Sequence, residues 1–312
     1  MIFWISSYPK SGNTWLRILL SSYYFTKDGF YDESVLKNID QFPQKKFFDE
    51  FNYDPRVVTD TIKFWIKAQE KINQDKKLRF FKTHNAFGAL NNFHFTNKNN
   101  SIGCVYVVRD PRNVITSLKN FYEMNDDQAF KWITNKNQYI YDVNKFEKDG
   151  YSDFQFISSW DTNFESWKIQ KKIPIKIIRY EDLLNQTYKV LTEVITFINQ
   201  TTISKEKINK NKIKNAIGDN LKSEFDRVLQ VTGYYFICGF IISSIIQFFL
   251  ASVIVVSNPG DPSFNEEVST MTWVSYIAVL LPTMIVLAKG FMGLISGIEN
   301  LTGMKKEEFL NS

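Results

Sequence analysis

The composition of this 312-residue chain is that of a folded protein. Hydrophobic residues make up 44% and charged residues 23%, which excludes a disordered chain and predicts a sizeable core in one large or two modest domains. With 2 cysteines and 2 histidines, a disulfide framework and a four-cysteine zinc site are excluded, and a reducing compartment is indicated. The net charge of +5 is uneven: residues 231–312 hold 3 basic and 6 acidic residues, so the positive excess lies in residues 1–230 and suits an anionic ligand.

Residues 1–227 alternate between predicted strands and predicted helices. Short apolar runs predict four buried parallel strands, at Ile2–Ser6, Arg79–Lys82, Gly103–Val108 and Ile175–Ile178. The stretches between them predict helices at Thr14–Phe25, Val57–Lys71, Arg112–Tyr122, Phe154–Ile169 and Tyr188–Ile198. This alternation predicts one α/β domain over residues 1–227, with a P-loop-like open parallel sheet flanked by helices.

Residues 228–312 have a different pattern, which predicts a membrane region. Residues 228–260 and 268–288 contain no charge, and each segment is long enough for the roughly 20 residues that a bilayer requires. We expect a two-helix transmembrane hairpin with spans at about 231–256 and 270–290; a buried hairpin in a soluble core is the alternative. Basic residues flank the outer ends of both spans and none lies between them, so the positive-inside rule places residues 1–227 at the membrane, facing the cytoplasm. No basic segment precedes the apolar start of the chain, so no signal peptide is expected.

Polar residues follow each of the four predicted strands. They occupy positions 7–12, 83–84, 109–112 and 179–182. Because ligands of parallel α/β sheets bind beyond the carboxyl ends of the strands, we expect these four segments to form a single site.

The first polar segment has the features of a phosphate-binding loop. Gly12 permits a tight turn, and the backbone N–H groups at the start of the following helix can hold a phosphate. Lys10 adds a positive charge, but it precedes the glycine, so this is not a Walker A loop. The candidate binding residues are Lys10, Ser11, Gly12, Asn13, Thr14 and Trp15. An ordinary strand-to-helix turn is the alternative interpretation.

The third polar segment offers a second group for an anion. Arg109 ends the strand and Ser117 lies two turns into the next helix. The planar guanidinium of an arginine matches two phosphate oxygens at once. The alternative is that Arg109 and Asp110 form only a capping pair at the start of the helix.

Together, these segments resemble the PAPS-dependent sulfotransferase family, whose sulfonate donor is 3′-phosphoadenosine 5′-phosphosulfate (PAPS). Residues 8–15, with the sequence Tyr-Pro-Lys-Ser-Gly-Asn-Thr-Trp, are similar to the family's 5′-phosphosulfate loop, and Arg109 with Ser117 is similar to its 3′-phosphate pattern. Residues 81–84 resemble the segment that carries the family's catalytic base, and residues 179–183 resemble its Tyr-Glu-Asp-Leu stretch. The resemblance covers about residues 1–225, where residues 159–160 and 167 also match a Ser-Trp pair and a later Trp.

The resemblance implies a role for each of these residues in moving a sulfonate group from PAPS to a hydroxyl or amine, without a metal. Lys10 would neutralise the departing 5′-phosphate, and His84 would accept the proton of the acceptor. Arg109 and Ser117 would bind the 3′-phosphate, and Tyr180 would line the adenine pocket.

Several alternatives remain at this stage. His84 is alternatively a structural histidine, and His94, which lacks such a context, is assigned to the surface or a substrate loop. The expected partners are a small-molecule, glycan or lipid acceptor and a membrane, and no nucleic acid. The sequence leaves the oligomeric state open.

One part of the family pattern is missing from this sequence. The Arg-Lys-Gly-x-x-Gly segment that closes over the 3′-phosphate is absent, and the nearest similar stretch, residues 214–220, lacks its arginine and its first glycine. Three explanations compete: a membrane-anchored enzyme whose tail was replaced, a weakened or inactive nucleotide-binding relic, or a site completed by another chain. A P-loop kinase is a further alternative, disfavoured because no Gly-Lys-Ser/Thr ending is present.

Overall fold

The computed structural model describes residues 1–144, 147, 154–204 and 206–218. The membrane hairpin predicted within residues 228–312 lies outside the described residues. Within the described ranges, no helix combines the length and the apolar character needed to cross a bilayer.

The centre of the fold is a five-stranded sheet in which all paired strands run parallel. Its strands in chain order are β1 (Ile2–Ser7), β2 (Ile39–Gln41), β3 (Arg79–Thr83), β6 (Ser101–Val108) and β9 (Ile175–Arg179), and their spatial order is β2-β3-β1-β6-β9. All six residues of β1 are buried, as expected for the middle strand of a sheet covered on both faces. Two small antiparallel pairs lie outside this sheet: β4 (Ala89–Leu90) with β5 (Phe93–His94), and β7 (Tyr139–Ile140) with β8 (Gln155–Phe156).

Helices connect and flank the strands. They are α1 (Asn13–Phe25), α2 (Trp65–Ile72), α3 (Pro111–Tyr122), α4 (Asp126–Thr134), α5 (Trp160–Ile169), α6 (Tyr180–Asn185) and α7 (Thr187–Thr201), and residues 210–218 are also helical. Short 3₁₀ segments occur at Glu33–Asn38, Lys45–Phe47 and Asp60–Phe64. The predicted α/β fold with a parallel sheet flanked by helices is therefore confirmed.

Local sequence explains where α3 and α4 begin. The Asp110 carboxylate accepts the backbone N–H of Arg112, and Pro111 occupies the first turn of α3, where no backbone donor is needed. Asn125 and Gln128 form a reciprocal capping box at the start of α4. Asp110 thus has the capping role considered above, while Arg109 makes different contacts.

Several elements differ from the sequence predictions. Strand β2 was not predicted, because three residues carry too little periodicity to be recognised without their partner strand. The helix predicted from Phe154 begins only at Trp160, since Gln155 and Phe156 pair with β7 and Ser159 precedes the helix as its N-cap residue. The helix predicted over Val57–Lys71 is a 3₁₀ segment followed by α2.

An aromatic core packs against the sheet around Trp4. Phe42 and Phe95 both lie next to its ring, with centroid distances of 5.9 and 5.0 Å. Phe42 also contacts Phe48, and these aromatic side chains are fully or almost fully buried. The aromatic residues that the sequence concentrates near positions 42–51 and 87–95 therefore contribute largely to the core.

Candidate functional site

A cavity of about 580 Å³ lies at the carboxyl ends of the central strands. Three of the four predicted polar segments contribute to its lining, through Lys10 and Gly12 after β1, His84 after β3 and Arg109 after β6, and the predicted site residues Asn13, Thr14 and Ser117 line it as well. The fourth segment contributes Tyr180, which contacts residues of the first and third segments without lining the cavity. Three of the four segments therefore meet at one cavity, and the roles of their residues stay predictions.

The loop before α1 has the backbone shape of an anion cradle. Gly12 is the N-cap residue of α1 and has a φ of +91°. A side chain at this position would overlap the ring of Tyr180, so both the backbone angle and the close approach require glycine. Lys10 also has a positive φ, +64°, which costs a residue with a side chain about 1–3 kcal/mol. The first N–H groups of α1 have no partners within the helix and are left for a ligand.

The side chains of this loop have different surroundings. Thr14 lines the cavity. The Asn13 amide donates to the Ile5 carbonyl at 3.0 Å, so this side chain anchors the loop to β1. The Ser11 hydroxyl and the Trp15 indole nitrogen are buried without hydrogen-bond partners among the described residues, and neither residue lines the cavity.

Arg109 connects the first, third and fourth polar segments. Its guanidinium donates to the Lys10 carbonyl at 2.9 Å and lies over the Tyr180 ring, 4.5 Å from the ring centroid. Its Nε is buried and has no hydrogen-bond partner among the described residues. The side chain as a whole lines the cavity, and a guanidinium held in this way is suited to binding phosphate oxygens.

The cavity has a strong positive character. Lys10, Lys82 and Arg109 all line it. Burial, and then the charge of Arg109, lower the pKa of Lys10, whose ammonium group lies 3.8 Å from the centroid of the Phe121 ring. Three cations in one cavity favour a ligand with several negative charges.

His84 is held in one tautomer. Its Nδ1 lies 2.7 Å from the Ser7 carbonyl, and because a carbonyl only accepts, Nδ1 carries the proton and Nε2 keeps a lone pair. The backbone of His84 is fixed on both sides, since its N–H donates to Gln155 and its carbonyl accepts from Asn163. Burial, followed by the charge of Lys82, lowers the pKa of His84 to about 3. The ring is therefore uncharged at neutral pH.

Sequence reasoning missed several residues that line the cavity, among them Gln41 and Phe121. Gln41 on β2 stands opposite Lys82 on β3, and the Lys82 ammonium donates to the Gln41 amide oxygen at 3.3 Å. Phe121 follows Ser117 by four residues on α3, so the two lie on the same helix face. That spacing could have identified Phe121, whereas nothing in the sequence alone pairs Gln41 with Lys82.

Because the Lys82 ammonium is buried, we expect the folded state to become more stable when Lys82 is replaced by an uncharged residue. Burial lowers the pKa of Lys82 from 10.5 to about 8. At pH 7 the side chain is protonated in both states, but it binds the proton less tightly in the folded state, and this difference lowers the free energy of unfolding. We expect Lys82→Met to raise the free energy of unfolding at pH 7 by about 1–3 kcal/mol. The gain should shrink as pH rises from 8 to 10.5, where the native protein has already lost the proton. Urea denaturation at pH 7 and pH 10 would measure this, and equal effects at both pH values would contradict it.

The stretch that resembles the missing 3′-phosphate loop is helical over its described part and lies far from the cavity. Residues 210–218 are helical and pack near the carboxyl end of α1, where Asn215 donates to the Asp28 carbonyl and the Lys212 backbone contacts Gly29. The phosphate loop is at the opposite end of α1, a separation of about 18 Å for 13 residues. Residues 214–218 therefore do not close the site. Residues 219–312 lie outside the described part, so the absence of a closing segment elsewhere in the chain stays a prediction.

Comparison with known proteins identifies the family. The family model described as "Sulfotransferase domain" matches residues 2–227, so this chain belongs to the sulfotransferase domain family. No curated protein matches it.

Two solved structures are similar to parts of the chain. One is retinol dehydratase in complex with retinol and PAP, with 16% identity and a TM-score of 0.35; the match covers 68% of this chain and 62% of that one. The other is an uncharacterized protein from Eubacterium ventriosum, with 12% identity and a TM-score of 0.28, covering 64% of this chain and 98% of that one. The chain thus spans less than two thirds of the length of retinol dehydratase.

Proposed function

We propose that this protein is a PAPS-dependent sulfotransferase that moves a sulfonate group to a hydroxyl or amine. The observation that carries the proposal is that one cavity combines a cationic phosphate loop with an uncharged, oriented histidine. Membership of the sulfotransferase domain family supports the same reaction.

The donor would occupy the cationic part of the cavity. The α1 N-terminus and Lys10 are suited to the 5′-phosphate and its sulfonate, and Arg109 with Ser117 is suited to the 3′-phosphate. The observation that fits this ligand is that the Arg109 guanidinium lines the cavity and is held in place by the Tyr180 ring and the Lys10 carbonyl. Tyr180 would act through Arg109 and Gly12, since its ring packs against both.

His84 would act as the base. Bound PAPS supplies the sulfonate group and leaves as 3′,5′-bisphosphoadenosine (PAP). The Nε2 lone pair of His84 would take the proton of the acceptor hydroxyl, while the Ser7 carbonyl keeps the ring in the required orientation. Lys10 would balance the charge left on the 5′-phosphate oxygen.

Two other functions remain as alternatives. A catalytically weakened nucleotide-binding relic is favoured by the missing 3′-phosphate loop, and the presence of Lys10, His84 and Arg109 around one cavity argues against it. A P-loop kinase is disfavoured because Lys10 precedes Gly12. Attachment to a membrane with the catalytic domain facing the cytoplasm belongs to the proposal; it rests on the uncharged segments within residues 228–312 and on the basic residues that flank them.

Nucleotide preference tests the proposal. We expect full-length protein in detergent to bind PAP with micromolar affinity in calorimetry, more tightly than 5′-AMP or ATP with Mg²⁺. Lys10→Ala should weaken binding of PAP and 5′-AMP alike, because both carry the 5′-phosphate that Lys10 would contact. Lys98→Ala, at an exposed lysine that does not line the cavity, is the control. Tighter binding of ATP with Mg²⁺ would favour a kinase, and no binding of PAP to folded protein would favour the relic.

A further inference from the structure

A second cavity, of about 480 Å³, lies next to the proposed active site between α3 and α4. Tyr122, at the end of α3, lines both this cavity and the 580 Å³ cavity that contains His84. The two spaces therefore adjoin on either side of a single side chain. A ligand that reacts at His84 could extend past Tyr122 into the second cavity.

The walls of this second cavity combine aromatic rings and amide groups with Met124 and the charged side chains of Glu123 and Lys131. The rings of Tyr122 and Trp132 pack against each other at an angle of 47°, with centroids 5.5 Å apart. The Asn135 amide donates to the Gln138 amide oxygen at 3.1 Å, and the Gln138 amide donates to the Tyr139 carbonyl at the same distance. These bonds hold both amides in fixed orientations, and each amide still has capacity for further hydrogen bonds.

The wall of the reaction cavity on this side is also polar. It contains Asp142 and Gln155, together with Tyr141. The Gln155 amide oxygen accepts the His84 N–H, which leaves its NH₂ group to a ligand. Phe42 and Phe95 are packed in the core and do not line either cavity. The apolar side chains that a ligand would contact are Phe121 and Ile140 in the reaction cavity and Met124 in the second cavity, beside the tyrosine and tryptophan rings.

We propose that the acceptor is a saccharide of at least two units, with the reacting sugar at His84 and the adjoining sugar in the cavity between α3 and α4. This inference rests on the proposed sulfotransferase function. Sugars present apolar C–H faces that pack on aromatic rings, and hydroxyl groups that pair with amides and carboxylates, which is the combination found on these walls. A cavity of this size lies in the range of ligand sites.

The test is calorimetry on full-length, PAP-loaded protein in detergent. The ligands are cellotetraose, chitotetraose and a chondroitin tetrasaccharide, each compared with its constituent monosaccharides and with 2-naphthol and dodecanol. We expect at least one tetrasaccharide to bind about tenfold more tightly than its monosaccharides, through the contacts of the second cavity. Trp132→Ala should abolish this difference, Trp132→Phe should largely restore it, and PAP affinity should be unchanged in both.

Two further variants separate recognition from loss of folding. Trp132 packs near the buried Tyr8, with ring centroids 6.1 Å apart, so its removal could disturb the fold. Asn135→Ala changes an exposed cavity residue just after the end of α4 and should weaken tetrasaccharide binding alone. Phe130→Ala, at a residue exposed on α4 outside the cavity, should change nothing. If the protein binds PAP but shows equal affinities for tetrasaccharides and monosaccharides, this inference is wrong and the proposed function is retained. The same holds if it prefers 2-naphthol or dodecanol to the saccharides. Loss of PAP binding in the unmodified protein would overturn the proposed function as well.

Discussion

His84→Ala should lower kcat for sulfonate transfer by about 10²–10⁴-fold, the usual contribution of a general base. The reason is that the hydrogen bond from Nδ1 to the Ser7 carbonyl leaves the lone pair on Nε2, and the His84 side chain lines the cavity. PAP affinity should be retained, because the donor contacts lie on the phosphate loop and on α3. Transfer of labelled sulfonate from PAPS, together with calorimetry of PAP, would measure both quantities.

The other histidine provides the matched control for this variant. His94 is exposed on β5 and does not line the cavity, so His94→Ala should leave kcat unchanged. His84→Asn keeps a side-chain amide that could donate to the Ser7 carbonyl and would reveal a purely structural role. If His84→Asn retained full activity, His84 would not be the base.

The pH dependence of kcat/KM, which reports the pKa values of the free enzyme, should follow from the same geometry. The pKa of His84 is lowered to about 3, so its lone pair is present at neutral pH and is lost only as pH falls toward that value. Protonation of His84 therefore should not reduce activity between pH 5 and 7, in contrast to a solvent-exposed histidine. A loss of activity with a midpoint near 6.5 would show that His84 is less buried during catalysis than in this structure.

Arg109→Ala should weaken PAP binding by about ten- to a hundredfold, corresponding to the 1.5–3 kcal/mol of a charge-assisted hydrogen bond. The Nε of Arg109 is buried without a partner among the described residues, and its guanidinium plane is held by the Tyr180 ring and the Lys10 carbonyl. Arg109→Lys should recover little of the affinity, because lysine keeps the charge but loses the planar pair of donors. Calorimetry with PAP would give the affinities.

A neighbouring arginine and a second nucleotide make this measurement specific. Arg112 is exposed and paired with Asp110, so Arg112→Ala should leave PAP affinity nearly unchanged. The nucleotide 5′-AMP lacks the 3′-phosphate, and its affinity should not depend on Arg109. An equal loss for 5′-AMP and PAP in Arg109→Ala would mean that Arg109 supports the phosphate loop through the Lys10 carbonyl and does not contact the 3′-phosphate.

The sequence by itself was sufficient for the features that depend on local pattern. Four parallel strands, the turn at Gly12 and the start of α3, which lies one residue before the predicted Arg112, are encoded by apolar runs and by residues with narrow backbone preferences. Because parallel strands present their carboxyl ends at one edge, the sequence also predicted that Lys10, His84 and Arg109 meet in one cavity, as they do.

Only the tertiary structure decided the features that depend on residues distant in the chain. The pairing of Gln41 with Lys82 requires β2 to lie beside β3, and the tautomer of His84 requires the Ser7 carbonyl, 77 positions earlier. The start of α5 was mispredicted because residues 155–156 gain ladder hydrogen bonds with β7, an interaction that local pattern does not contain. Burial, which lowers the pKa of His84 and Lys82, is likewise a property of the assembled fold, since it depends on which segments exclude water from each side chain.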